Sequence, residues 1–467
     1  MREILVNRGS AVRLAIFALA VCFGGQPLKA QPLVLKNFTL IDGTGARPQA
    51  DSAVVIDPDG RIEWVGTSAR LKVPDGAKLV DLRGKYVMPG LIDAHVHLGL
   101  VHGLKQDVDF YTTDLVQEQL KTYAAYGITS VLVLGTDKDL IFDIRAAQRA
   151  GRPELARVFT AGQGLVYKGS YGGVPKLNQP VATVQEARAA VDSQARKGVD
   201  LIKLWVDDEF GTLPVRMPAE ISQAIIDQAH QHHLKVVAHV FYLDNAKTLV
   251  SQGVDALAHS VRDKPVDDDL LRTMKQHGTW QLAETLSREA SFTYTRLPFL
   301  DDPFFNRALP PQVLQELASS QRAAQLEAAP NFARYKPAFE TAVSNTAREV
   351  QAGVPYGMGT DSGPSGRFGG YFAHWELQLM VRAGLTPLQA LTAATGGNAN
   401  FIGATEQGTI APHKWADLVV LDRSPVADIR NTRTLHTEYV AGREVPTIWQ
   451  LCVGRPTNDC KGGPDGP

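Results

Sequence analysis

The sequence predicts an α/β protein, a (β/α)8 TIM barrel with a small β-domain built from both ends of the chain. Three observations predict this class. Short apolar segments alternate with helical segments through the middle of the chain, which is typical of a parallel sheet. Segments rich in β-forming residues occur at both ends. Polar side chains recur where the apolar segments of the middle end, which is where barrels carry their functional groups.

The two ends of the chain consist of short apolar runs separated by turns. These runs are residues 33–41, 53–56, 61–66, 416–421 and 437–443. Asp42-Gly43 and Pro58-Asp59-Gly60 follow two of them, and both sequences favour tight turns. We therefore predict a composite β-domain of residues 31–86 and 409–450 around a barrel of residues 87–408.

The middle of the chain supplies eight predicted strands. They are residues 87–98, 130–134, 158–160, 201–206, 235–240, 256–259, 280–284 and 356–360, with helices predicted at 139–150, 183–197, 218–233 and 244–252. Thr183 and Glu186 have the spacing of a capping box, and Pro218 suits the first turn of a helix. Residues 288–336 interrupt the alternation and are predicted to be an insertion after the seventh strand.

Length and composition allow a large globular protein. The chain has 467 residues, of which 44% are apolar and 21% charged. Its formal net charge of −1 gives no reason to expect nucleic acid or an anionic membrane as a partner. We expect a small molecule or short peptide instead, and the sequence leaves a homo-oligomer open.

The first 30 residues have the features of a signal peptide. Arg2, Arg8 and Arg13 precede an apolar run, residues 14–23, which is too short for a membrane span, and Ala30 offers a small residue for cleavage. A buried helix is the alternative, and a lipoprotein would require cleavage between Val21 and Cys22. We predict an exported protein, periplasmic or secreted, without a membrane span after cleavage.

Two cysteines, Cys452 and Cys460, lie near the C-terminus in a predicted flexible tail, residues 451–467. In an oxidising compartment a disulfide is the expected state, although two free thiols are the alternative. A zinc site is disfavoured because no third ligand lies nearby in the sequence.

Six polar residues lie within or just after the predicted strands of the barrel. They are His95, His97, Lys203, His239, His259 and Asp361. Alternation along a strand places His95 and His97 on one face. A histidine in a strand is often a hydrogen-bonded core residue, and Asp361 could cap a helix. Lys203 is harder to explain in this way, because a buried ammonium must be paired, neutralised or modified. The alternatives would all have to hold together at the matching end of five strands, so a metal site is favoured over them.

The sequence resembles the amidohydrolase superfamily, in its imidazolonepropionase-like and prolidase-like branch. The resemblance covers about residues 32–443 and is carried by the segments Pro89-Gly90-Leu91-Ile92-Asp93-Ala94-His95-Val96-His97, Asp200-Leu201-Ile202-Lys203, Ala238-His239, Ala258-His259 and Gly359-Thr360-Asp361. It implies two divalent metal ions, expected to be zinc, and a β-sandwich formed by the two ends of the chain.

The resemblance also implies roles for the six residues. His95, His97 and Asp361 would bind one metal, and His239 and His259 the other; Lys203, carboxylated to a carbamate, would bridge them. Two metals lower the pKa of a shared water, and Asp361 is expected to move its proton during hydrolysis of an amide, peptide, lactam or related ester bond.

Four residues are candidates for binding substrate. They are Tyr167, Tyr171, Tyr242 and Arg262, which follow predicted strands. In prolidase-like relatives a tyrosine and an arginine at such positions hold a carbonyl or carboxylate, which the guanidinium fork suits. Surface residues with local partners are the alternative.

The leading hypothesis is a metal-dependent hydrolase of C–N bonds that resembles a dipeptidase or an N-acyl-amino-acid hydrolase. A lactonase or esterase, or a mononuclear deaminase in which Lys203 has no bridging role, is an alternative on the same fold. A scaffold without catalysis is a further alternative, but the complete set of ligands argues against it.

Overall fold

The computed structural model describes residues 31–208, 210–283, 285–456 and 460. The strands of this part are β1 Leu33–Leu40, β2 Gln49–Ile56, β3 Ile62–Thr67, β4 Lys78–Asp81, β5 Tyr86–Pro89, β6 Leu91–Val96, β7 Val101–His102, β8 Lys105–Gln106, β9 Ile128–Val133, β10 Arg157–Thr160, β11 Leu165–Tyr167, β12 Gln179–Val181, β13 Ile202–Trp205, β14 Val236–His239, β15 Ala256–Ala258, β16 Trp280–Ala283, β17 Leu418–Leu421, β18 Leu435–Val440 and β19 Arg443–Val445. The α-helices are α1 Thr113–Ala125, α2 Leu140–Ala150, α3 Val184–Lys197, α4 Ala219–Gln231, α5 Leu243–Ser251, α6 Asp268–His277, α7 Leu286–Ser291, α8 Pro303–Asn306, α9 Pro311–Leu317, α10 Ser320–Glu327, α11 Phe332–Ala352, α12 Tyr371–Arg382, α13 Pro387–Thr392 and α14 Asn398–Ile402.

The strands of both chain ends join in one eight-stranded sheet. Its order is β19-β18-β17-β5-β1-β2-β3, and β4 pairs with β1. The link between the two ends is the antiparallel pair β5 and β17, in which Leu418 lies opposite Pro89. Apolar side chains such as Leu35, Val54 and Leu418 form one core cluster there. A composite sheet of both ends is therefore present, while its arrangement as a two-layer sandwich stays a prediction.

The middle of the chain is a mixed α/β region whose larger sheets are parallel. One sheet has the order β10-β9-β6 and the other β12-β11-β13-β14-β15-β16, all in parallel pairs. Helices α1 to α6 connect these strands, as the alternating pattern predicts. In parallel sheets the C-terminal strand ends lie at one edge, so polar residues there are brought together.

The predicted eighth strand, residues 356–360, is not a regular strand. The segment nevertheless hydrogen-bonds to both neighbouring strands: the Gly357 amide donates to the Gln281 carbonyl at 3.0 Å, and the Ala94 amide to the Met358 carbonyl at 3.0 Å. Asp361 has φ of 52°, a left-handed conformation that interrupts the extended backbone, and pairing with β6 resumes where the His97 amide donates to the Ser362 carbonyl at 2.8 Å. The prediction of a regular strand is therefore wrong, although the segment lies where that strand was expected.

Helix α4 begins and ends differently from the prediction. Pro218 has ψ of 147°, so it is the N-cap and the helix starts at Ala219. The helix ends at Gln231 because His233 has φ of 57°, in the left-handed region.

The insertion is helical and is attached to the C-terminal tail. Phe304 and Phe305 of α8 are buried in the largest core cluster. Arg307 donates to the Trp449 carbonyl at 2.7 Å, and the Val453 amide donates to the Arg307 carbonyl at 2.9 Å. A disulfide joins Cys452 to Cys460 within this tail.

The predicted signal peptide, residues 1–30, lies outside the described residues. In the described ranges, no helix has the length and apolar character that crossing a bilayer requires.

Candidate metal centre

The six predicted metal-site residues lie together at the C-terminal edge of the parallel strands. The register explains the placement: Trp205 of β13 lies opposite His239, and His239 lies opposite Ala258, the residue before His259. His95 is in β6, and the Asp361 amide donates to the His95 carbonyl at 2.7 Å. Strand pairing thus brings together residues up to 266 positions apart in the sequence.

The four imidazoles form a compact buried group. Ring centroids are 5.4 Å apart for His95 and His97, 4.7 Å for His95 and His259, and 4.4 Å for His239 and His259. Ligand atoms of His95, His259 and Asp361 lie within 4.8 Å of one another, which is a spacing that one metal ion can span. Burial lowers the pKa of all four histidines, to about 4 for His239. They are therefore neutral at pH 7, which is the form that binds metals.

Hydrogen bonds to two threonines orient two of the rings. Nδ1 of His97 lies 2.6 Å from Thr136 Oγ1, and Nδ1 of His259 lies 2.8 Å from Thr285 Oγ1. Occupying Nδ1 leaves Nε2 of each ring for the centre. Thr285 has φ of 55° and His259 φ of 68°, so backbone strain accompanies this placement.

Asp361 is bound on both carboxylate oxygens. Oδ1 lies 2.9 Å from His97 Nε2 and 3.7 Å from His95 Nε2. Oδ2 lies 2.7 Å from Arg288 Nε and also contacts Arg367. Burial raises the pKa of Asp361, but the positive charges of Arg367 and Arg288 outweigh it and hold the pKa well below its usual range. Asp361 is consequently an anion whose Oδ1 faces the histidines.

Lys203 is fully buried, and its Nζ has no hydrogen-bond partner among the described residues. Burial lowers its pKa to about 7, against the opposing effect of Asp361. Gly135 and Gly164 make room for this side chain, since a Cβ on either would lie 2.9 and 3.1 Å from Lys203 Cγ. A buried amine without a hydrogen-bond partner must be neutral, bind a ligand or be modified.

The donor set therefore fits a divalent metal. Nδ1 of His95, Nδ1 of His239 and Lys203 Nζ are buried without hydrogen bonds in the described structure. Neutral imidazoles together with a carboxylate are the ligands that zinc takes at tetrahedral or five-coordinate sites.

A buried carboxyl behind the centre holds two of its segments together. Asp93 accepts from Thr360 Oγ1 at 2.7 Å and from the His95 amide at 3.2 Å. Burial raises the pKa of Asp93 to about 7. The contact ties β6 to the segment that carries Asp361.

Three charged residues of the site were missed from the sequence. Asp207 Oδ2 lies 2.7 Å from His239 Nε2, and Arg288 and Arg367 contact Asp361. Strand alternation could have found Asp207, which continues the series Lys203, Trp205. Nothing in the sequence distinguishes the two arginines, because Arg288 lies in the short helix α7 and Arg367 in an irregular segment, both outside the strands.

Two small cavities border the centre, of about 50 Å³ and about 60 Å³. Tyr171 borders both, and its ring centroid lies 5.2 Å from that of His239. Arg262 borders the second cavity. Tyr167 and Tyr242 line neither; the Tyr242 hydroxyl donates to Asp208 at 2.8 Å, and Arg216 lies over its ring.

Most of the Arg262 guanidinium is already bound. NH1 donates to the carbonyls of Val240 at 3.0 Å and Ser260 at 2.8 Å, and Nε lies 3.2 Å from Glu289 Oε2. Glu289 also pairs with Arg288. Arg262 thus joins an ion cluster that extends to Asp361.

This arrangement of buried histidines and a carboxylate at parallel strand ends fits the site of a metal-dependent hydrolase. The profile of the amidohydrolase family matches residues 86–445, and the chain belongs to this family. It is a hydrolase of C–N bonds, in the imidazolonepropionase-like and prolidase-like part of the superfamily.

Two solved structures and one sequence relative illustrate the similarity. Imidazolonepropionase of Streptomyces avermitilis is 24% identical over 378 residues, 80% of this chain and 81% of the relative. A candidate prolidase from Bifidobacterium longum is 26% identical with a TM-score of 0.71, covering 92% of this chain and 97% of its own. A Xaa-Pro dipeptidase with methionine in its active site has 20% identity and a TM-score of 0.69 over 89% of this chain and 99% of its own, which shows a shared fold.

Proposed function

We propose that the protein is a binuclear hydrolase that cleaves the amide bond of a dipeptide or N-acyl amino acid. The observation that carries the proposal is the convergence of four neutral, buried imidazoles on Asp361 and Lys203. The Bifidobacterium protein is described as a candidate prolidase, which supports a substrate of this size.

The proposed architecture is a (β/α)8 TIM barrel of residues 87–408 beside a β-sandwich domain. The hydrogen bonds of residues 356–362 to β16 and β6 support closure on that side of the barrel. The Gly164 amide donates to the Gly135 carbonyl at 2.9 Å. This bond supports a connection between the sheet that contains β9 and the sheet that contains β11.

Two zinc ions are the proposed cofactors. His95, His97 and Asp361 would hold one ion, and His239 and His259 the other. Lys203 would bridge them as a carbamate. The neutral amine forms a bond from Nζ to the carbon of CO2 and loses a proton, which gives an anion. A pKa of about 7 keeps a substantial neutral fraction of the amine available for this step.

When bound, the metals would supply a water of lowered pKa and polarise the scissile carbonyl. The chain's own part is proton transfer and orientation. Asp361 Oδ1 faces His97, and it would take a proton from the attacking water and deliver it to the leaving nitrogen. Arg288 and Arg367 hold Oδ2, which fixes the direction of Oδ1.

Substrate recognition is proposed for residues that border the two small cavities. Tyr171 lies over His239, where its ring can position the scissile group. Arg262 and Arg288 border the second cavity together with Asp207, and we assign their guanidinium groups to a substrate carboxylate. For Tyr167 and Tyr242, a role in substrate binding is supported only by their positions in the sequence.

Export is part of the proposal and rests on residues 1–30. A periplasmic or secreted location is consistent with a disulfide between Cys452 and Cys460.

A substrate screen tests the function. Zinc-loaded protein is incubated with dipeptides, N-acyl amino acids, lactones and amino-heterocycles, and each product class is measured. We expect release of free amino acids without ammonia. Ammonia from amino-heterocycles, or turnover of lactones alone, would contradict the proposal.

A further inference from the structure

A cavity of about 410 Å³ lies beside the metal centre, and we propose that it binds the acyl chain of an N-acyl amino acid. This inference rests on the proposed function and names its substrate class. The cavity lies between α1, the insertion and the loop after Asp361, and its apolar lining includes Leu115, Tyr123, Phe305, Leu309, Val313 and Phe368.

The cavities at the centre are too small for a whole substrate. At about 50 and 60 Å³ each holds only a few atoms, whereas small-molecule sites typically measure about 300–1,000 Å³. The larger cavity falls within that range. A substrate cleaved at the metals therefore needs additional space for its remaining part.

The larger cavity adjoins the centre directly. His97, Pro364 and Arg367 border both this cavity and the 50 Å³ cavity. Arg367 lies at the junction, with its guanidinium on Asp361. The inner end of the cavity is therefore polar and its body apolar, which matches a ligand with a polar amide end and an apolar chain.

The rim of the cavity disfavours a ligand with an acidic outer end. The exposed carboxylate Glu118 borders it, together with the exposed His102 and the uncharged side chains of Gln312 and Thr122. An uncharged chain end meets no repulsion there, whereas a carboxylate would. This orientation places the amino-acid carboxylate near the arginines of the centre.

The walls are anchored in place. The Tyr126 hydroxyl donates to the Phe304 carbonyl at 2.8 Å, and Arg433 contacts Asp302 at 2.6 Å. Val453, which borders the cavity, is bonded through its amide to Arg307. Because its walls are already fixed, the cavity loses little conformational entropy when an acyl chain enters it.

Filling the cavity tests the inference. Leu309→Trp places a larger side chain in this cavity, and Leu388→Trp makes the same change in a separate cavity of about 440 Å³. That cavity lies beside Trp280, the first residue of β16, at the opposite ends of the strands. For the zinc enzyme, kcat/KM is measured for N-acetyl and N-decanoyl forms of one amino acid.

We expect the native enzyme to prefer the decanoyl substrate and Leu309→Trp to lower the decanoyl-to-acetyl ratio roughly tenfold. Leu388→Trp should keep the native ratio. An unchanged ratio in Leu309→Trp, or equal changes in both leucine variants, would overturn the inference.

Calorimetry with decanoate on the metal-free protein separates the inference from the function. Binding to the native protein and weaker binding to Leu309→Trp support the cavity, even if no N-acyl amino acid is cleaved. Absent decanoate binding alongside rapid N-acetyl cleavage would overturn the inference and leave the function intact.

Discussion

Asp361 lies between the histidines and the arginines of the site. Its Oδ1 faces His97 and His95, while its Oδ2 is held by Arg288 and Arg367. Asp361, His95, His97 and Arg288 are buried and Arg367 is partly buried, so charge interactions among them are stronger than in water. Asparagine keeps the size of this side chain and one oxygen that can accept from the arginines, so we expect its introduction to affect the chemistry more than the fold.

Asp361→Asn is expected to keep the fold and to lose about 10²- to 10⁴-fold in kcat, because an amide cannot accept the proton of water. Steady-state kinetics measure the loss, and circular dichroism monitors folding. Asp208→Asn is the matched control, since Asp208 contacts Tyr242 and Arg216 outside the two small cavities. Near-normal activity of Asp361→Asn would remove Asp361 from the proposed mechanism.

For single residues, the sequence predicts the candidate metal ligands better than the arginines that contact Asp361. His95, Lys203 and His259 stand out because polar residues rarely interrupt apolar strands. Arg288 reaches Asp361 from the short helix α7 and Arg367 from an irregular segment, and the paths of both depend on tertiary packing. No local pattern predicts such contacts.

Helix α12 illustrates how an element is fixed to the rest of the molecule. His374 is buried; its Nδ1 lies 2.9 Å from Thr432 Oγ1, and its Nε2 lies 2.8 Å from the Tyr126 carbonyl. Burial lowers the pKa of His374 to about 3 from 6.5. The His374 imidazole therefore binds a proton less readily in the folded state than in the unfolded state.

Acid should destabilise the protein through His374. The depressed pKa means that stability is complete above pH 6.5 and falls as the pH decreases toward about 3. His374 accounts for about 3 kcal/mol of that loss at pH 4. Urea unfolding at pH 7 and pH 4 measures it, and His374→Gln should lose less stability between the two. An equal loss in the variant would contradict the assignment.

The C-terminal tail is a second element with a testable contribution. The disulfide between Cys452 and Cys460 closes a short loop beside the insertion. In the chain-entropy model, Cys452→Ser lowers the free energy of unfolding by about 2–3 kcal/mol. Urea unfolding of the variant and of reduced native protein should agree. No difference between oxidised and reduced native protein would contradict this contribution.

The elements also show where sequence prediction fails. Residues 356–360 have the composition of a strand, but residues 356–362 form only isolated bridges to β16 and β6, and the left-handed Asp361 interrupts the extended backbone. Hydrophobic alternation carries no information on such a backbone conformation. The helices of the insertion pack Phe304 and Phe305 into a distant core, which local periodicity also does not reveal.

The whole molecule combines a sheet from both chain ends with parallel strands whose C-terminal ends carry the site. The alternation of strands and helices predicts this plan, and the membership in the amidohydrolase family agrees with it. The central claim concerns Lys203, whose fully buried amine we propose to be a bridge between two metals.

The metal content of Lys203→Ala tests that claim most directly. Lys235→Ala is the control, because Lys235 lies at the start of the neighbouring strand and its Nζ donates to the Phe401 carbonyl. Mass spectrometry of the zinc-loaded proteins should find about two ions per chain in the native protein and Lys235→Ala, and at most about one in Lys203→Ala. Two retained ions in Lys203→Ala would contradict the bridged centre.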